Sequence, residues 1–101
     1  MVSYRVGDYP MAHLSTDNTA LLARVRRLQG QLKAIERALA AGEECSTTLH
    51  LVAGVRGAVG GLMDEILQEH LRAHVAHPDL TDAERAEGAK ALIDAMRRYA
   101  K

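Results

Sequence analysis

From Cys45 to Val75 the chain carries one unbroken helical pattern, and its length limits what the chain can become. Leu49, Val52, Val55, Val59, Leu62, Ile66, Leu67, Leu71 and Val75 recur at the steps of an α-helix, and no proline interrupts them before Pro78. A helix of about 30 residues spans roughly 45 Å at ~1.5 Å per residue, whereas a compact chain of about 100 residues has a radius of gyration near ~13 Å. One medium and one short helix cannot cover such a rod, so much of the stripe would face water in a monomer. Self-association into a helical bundle removes that cost, and a dimer at least is expected. Gly54, Gly57, Gly60 and Gly61 lie inside the stripe. Each lowers helix propensity by roughly 1 kcal/mol relative to alanine, which implies close approach of another helix.

The flanking segments complete an all-α reading. Residues 1–14 mix Gly, Pro and Tyr without periodicity and read as a flexible N-terminal arm. Ser15, Thr16 and Asp17 give a helix start, and Leu21, Val25, Leu28, Leu32, Ile35 and Leu39 then step by four and three as a heptad seam. Gly42 is a natural stop. Thr81-Asp82-Ala83-Glu84 forms a capping box, after which Ala89, Leu92, Ile93 and Met96 give a short third helix. The expected protomer has long helices 1 and 2 and a short helix 3, with residues 15–101 as a single domain. Its core is Leu, Val, Ile, Met and Ala, because the chain has no Trp or Phe and three Tyr. The single cysteine excludes an internal disulfide, and no stretch suits a membrane span or secretory leader. A cytoplasmic protein is expected.

Charge bears on partners through arrangement alone, since 13 basic and 13 acidic side chains balance. Arg24, Arg26, Arg27, Lys33 and Arg37 crowd the first helix, and Arg56 lies in the second. Such a row usually marks a solvated face, but a symmetric oligomer would duplicate it into a surface able to meet phosphates. No aromatic residues interleave with it, and no helix-turn-helix pattern is present. No nucleophile is paired with a base and no glycine-rich phosphate loop follows a strand, so an enzyme is not expected.

Cys45, His70 and His74 are the residues best suited to chemistry. His70 and His74 stand at i, i+4, which puts both imidazoles on one helix face as a shared metal ion requires. Alone, that spacing fits two solvent-facing residues equally well. Cys45 precedes His70 by 25 residues, or about 37 Å along one helix, so the two cannot share an ion within one chain. A shared site needs two antiparallel copies of the second helix, with Cys45 of one beside His70 and His74 of the other. A cysteine at a helix N-terminus is well placed to serve as a thiolate ligand. His13, in the arm, could fold over such a site. His50 reads as packing, and His77, before Pro78, as helix-terminus chemistry.

Arg24-Val-Arg-Arg-Leu-Gln-Gly-Gln31, Glu44-Cys45, Val55-Arg56-Gly57-Ala58, Gly61-Leu62-Met63 and Glu69-His70-Leu-Arg-Ala-His74 together resemble the CsoR/RcnR/FrmR family of metal- and formaldehyde-responsive repressors. The resemblance covers the chain from Met11 onward. It implies antiparallel dimers, a dimer-of-dimers tetramer, operator binding in the empty state and release on effector binding. Copper sensors of the family carry a second Cys where His74 stands, and Cu(I) prefers more sulfur. His13, Cys45, His70 and His74 instead resemble the nickel/cobalt branch, and nitrogen-rich ligation with one thiolate suits Ni(II) or Co(II). Formaldehyde sensors keep the Cys and the first His but use a proline amine after the initiator Met, which is absent both at Met1 and at Met11. Ten residues precede Met11, so a free amine beside His13 is available only if translation starts at Met11.

The expectation is a repressor of metal efflux or resistance genes. It binds double-stranded operator DNA through Arg24, Arg27, Lys33 and Arg56 and is released by Ni(II) or Co(II) at His13, Cys45, His70 and His74. A formaldehyde-responsive repressor using Cys45 is the alternative, and a helical metal-binding module without a DNA role is the rival from another class.

Overall fold

The computed structural model describes residues 18–99, and among these the chain is three helices with no strand. They are α1, Thr19–Ala40; α2, Cys45–His74; and α3, Asp82–Tyr99. The arm and the start signal at Ser15, Thr16 and Asp17 lie outside the described residues.

The helix ends follow from local chemistry. Gly42 stops α1 in a left-handed conformation, φ 66°, that side chains rarely adopt. The turn is a two-bond Schellman closure in which Glu43 N–H donates to the Ala38 carbonyl at 2.9 Å and Gly42 N–H to that of Leu39 at 3.2 Å. At the end of α2 the N–H groups of Val75 and Ala76 both donate to the Leu71 carbonyl, at 3.1 and 2.8 Å, and Pro78 prevents continuation. The capping box of α3 is reciprocal: Thr81 N–H donates to Glu84 Oε1 at 2.8 Å, and Glu84 N–H to Thr81 Oγ1 at 3.1 Å. Thr81→Ala is expected to cost about 1 kcal/mol, read as a lower urea midpoint at unchanged slope. At 18 residues α3 is the shortest of the three described helices, as expected. Ala83, Ala86, Ala89, Ala91 and Ala95, the best helix formers, carry it past Met96.

Thr19–Glu65 forms one compact unit, and the chain from Ile66 onward forms a second, the boundary falling inside α2. In the first unit α1 and α2 run antiparallel. A Cβ at Gly61 would stand 3.0 Å from Arg24 Nη1, and one at Gly54 3.8 Å from Gln31 Nε2, so seven residues forward in α1 match seven back in α2. The side of α1 turned to α2 carries Leu21, Arg24, Leu28, Gln31, Ile35 and Ala38, all buried or half-buried. The heptad seam read from the sequence is therefore divided. Leu28 packs, whereas Val25, Leu32 and Leu39 lie on a flank that α2 does not reach, Leu39 being 65% exposed.

α2 repeats this division, with Leu49, Val52, Val59 and Ile66 uncovered. Among the described residues Leu28 and Ala38 are the only buried apolar side chains. Gly54 and Gly61 meet side chains of α1, while Gly57 and Gly60 have nothing within 4 Å among the described residues. The close approach expected at these four positions is thus realised within one chain only in part.

Candidate effector site and nucleic-acid surface

The last turns of α2 place two imidazoles side by side. His70 and His74 are both half-buried, with ring centroids 4.8 Å apart and planes inclined by 37°. Their i, i+4 spacing brings the rings together, and α3 fixes one of them. His70 Nε2 lies 3.0 Å from the Gly88 carbonyl oxygen, which can only accept, so Nε2 donates in this bond and Nδ1 is the nitrogen that carries the lone pair in the neutral ring. Metal-ligating histidines are characteristically oriented through such a bond from the other ring nitrogen, and His70 fits a metal ion on this ground.

Gly88 is what admits α3 so closely. It is the buried residue of α3, and a Cβ there would fall inside the van der Waals envelope of the His74 carbonyl, 2.7 Å from its carbon. Sequence reasoning missed Gly88, although a lone glycine in an alanine-rich helix is a recognisable signal of close packing.

Cys45 is not gathered with this pair into a three-donor cluster within one chain. Cys45, the first residue of α2, is exposed, its thiol free of any disulfide. Glu44, just before it, caps the helix: its carbonyl accepts the N–H groups of Thr47 and Thr48, and its carboxylate accepts from Ser46 Oγ at 2.9 Å. His13 lies outside the described residues. Among the described residues of one chain, no three His, Cys, Asp or Glu side chains converge to hold a metal ion. His77 has a structural part, its Nδ1 accepting the N–H of Asp79 at 3.1 Å.

The basic candidates do not form one patch within a chain. Arg24 sits on the α2-facing side of α1, half-buried, its Nη2 3.8 Å from Glu65 Oε2. With both groups about 40% exposed, this pair is worth little stability. Arg27 and Lys33 are exposed on α1, and Arg56 is exposed on α2. At ~100° per residue Lys33 stands about half a turn round the helix from Arg24, on the side of Arg26 and Arg37.

A sequence profile described as metal-sensitive transcriptional repressor matches residues 17–98. The chain belongs to that family. Members of the metal-sensitive repressor family are transcriptional repressors and not enzymes. An uncharacterized protein of Serratia marcescens, from the region 5′ of bioA, is 47% identical over 91 residues, covering 90% of this chain and all of that one. The transcriptional repressor RcnR of Salmonella typhimurium is 35% identical over the same shares. A variant of the formaldehyde-responsive regulator FrmR from Salmonella enterica serovar Typhimurium is similar in structure. The TM-score is 0.75 at 40% identity, over 81% of this chain and 92% of that one. No described helix is long and apolar enough to cross a membrane.

Proposed function

We propose that this repressor binds operator DNA as an antiparallel oligomer when empty and is released by Ni(II) or Co(II). The observation that carries the reading is the His70–His74 pair, with the Nε2–H of His70 committed to Gly88 and its Nδ1 left as a donor. Cys45 at the opposite end of α2 supplies a thiolate from a second copy, and His13 from the arm completes the set. Three nitrogens and one sulfur suit Ni(II) or Co(II) better than Cu(I). The uncovered flanks of α1 and α2 support the oligomer, since exposed apolar surface of this extent marks an interaction face. The oligomer is an antiparallel dimer paired again into a tetramer. Arg24, Arg27, Lys33 and Arg56 meet operator phosphates from more than one copy, which answers their scatter over a single chain. Metal favours a state of the oligomer in which these cations no longer match the duplex, so release follows from the difference in metal affinity between two states.

The exposed Cys45 and the likeness to a formaldehyde-responsive regulator favour a second reading, in which formaldehyde condenses with the Cys45 thiol and an amine to form an S–CH2–N bridge, its oxygen leaving as water. Fluorescence anisotropy on operator DNA separates the two, with Ni(II), Co(II), Cu(I), Zn(II) and formaldehyde titrated separately. Release by Ni(II) or Co(II) that disappears in His74→Ala supports the metal reading. Release by formaldehyde alone, unchanged in that variant, overturns it. Operator binding itself should weaken steeply with salt, and a chain without that slope has no DNA role.

A further inference from the structure

We propose that Arg85 is a positioning residue for the effector site, because its guanidinium fixes the α2–α3 connection and so aims the Gly88 carbonyl at His70. Arg85 Nη1 donates to the carbonyl oxygens of Val75 at 2.5 Å and His77 at 3.3 Å, and Nη2 donates to that of Leu80 at 3.2 Å. Three carbonyls of one short connection are thus gathered on a single planar cation. The connection is closed further by Leu80 N–H donating to the His77 carbonyl at 3.3 Å and Asp79 N–H to His77 Nδ1 at 3.1 Å.

Arg85 sits in the first turn of α3, where the helix dipole opposes a cation. What offsets that cost is the other helix: the Val75 carbonyl lies just past the end of α2, where the dipole favours positive charge. Arg85 and Gly88 are i, i+3 on α3, so they share a face, and the group that holds the connection stands one turn from the group that receives the His70 proton. Lysine could replace it only in part. A single ammonium lacks the rigid fork that reaches three acceptors at once.

The consequence rests on the reading of His70 as a ligand. With the connection held, Nε2–H stays on Gly88 and Nδ1 stays aimed at the ion. With it released, the imidazole is free to turn.

The test uses the full chain without metal, then with Co(II) alone. In the metal-free wild type, ¹⁵N–¹H spectra should show a His70 Nε2–H proton protected from exchange with water, assigned by its loss in His70→Gln. In Arg85→Gln that resonance should vanish while far-ultraviolet circular dichroism is unchanged, and Co(II) should bind about 10-fold more weakly, the size of effect typical of groups that orient a ligand. Arg85→Lys should fall between. A resonance absent from the wild type, or present in Arg85→Gln with wild-type Co(II) affinity, overturns the proposal. If Arg85→Gln loses its helices, Arg85→Lys decides: reduced protection supports the proposal, and wild-type protection overturns it. A wild type that binds no Co(II) ends the metal reading, while the resonance still decides the role of Arg85.

Discussion

Replacing Gly88 by alanine is expected to destabilise the protein and to disable its effector site, although alanine is the better helix former. In an open helix position the exchange would stabilise by up to about 1 kcal/mol. At Gly88 the new methyl would overlap the His74 carbonyl, with its carbon at 2.7 Å and the His74 Cβ at 2.9 Å. The main obstacle is backbone, which cannot swing aside, so α3 must withdraw. Overpacking of this kind costs roughly 1–3 kcal/mol and outweighs the gain in propensity. Withdrawal also breaks the His70–Gly88 bond, so metal affinity should fall together with stability. Gly30→Ala is the control, because nothing among the described residues lies within 4 Å of a Cβ there and only the propensity gain remains. Urea unfolding of the two variants should move in opposite directions. A Gly88→Ala protein as stable as Gly30→Ala would show that α3 does not pack on α2 as described.

The largest effect on function is expected from the histidine pair. His70→Ala and His74→Ala each remove one nitrogen donor from a set of about four. Outer-shell partners are worth 10–100-fold in metal affinity, so a ligand itself should cost more than about 100-fold. Operator affinity in the absence of metal should stay within about threefold of wild type in His74→Ala, since His74 is not among the residues proposed to meet phosphates. Isothermal titration with Ni(II) and Co(II), beside operator binding without metal, checks both halves. A His74→Ala protein that binds Ni(II) as tightly as wild type would remove the second imidazole from the site.

What the sequence made legible was chemistry that acts within one helix or at its end. Gly42, the Thr81–Glu84 box and Pro78 each determine a terminus through bonds to neighbours a few residues away, and the structure closes α1, opens α3 and ends α2 at those places. The nearness of His70 and His74 was legible for the same reason, since helical spacing alone sets it.

What was not legible depends on two elements meeting. Nothing in the spacing of α3 says that Gly88 faces the end of α2, or that Arg85 spends its donors on the preceding connection. One signal was present and unread: a cation in the first turn of a helix breaks the dipole rule and so needs a partner from elsewhere. The heptad seam of α1 was correct as a set of apolar residues but silent on which half α2 would cover. Steps of four and three serve two neighbouring faces equally well, and only the register with Gly54 and Gly61 chooses between them.

The effector site is proposed to be shared, with Cys45 from one copy and His70 and His74 from another. That sharing is tested most directly by mixing two crippled chains. One carries Cys45→Ala and the other His70→Ala with His74→Ala, and the two are unfolded together, refolded and titrated with Co(II). Neither chain alone should give the thiolate-to-Co(II) absorption band. Random pairing in antiparallel dimers leaves about one site in four intact, so the mixture should recover roughly a quarter of the wild-type band. A wild type that gives the band and a mixture that gives none would contradict the shared site.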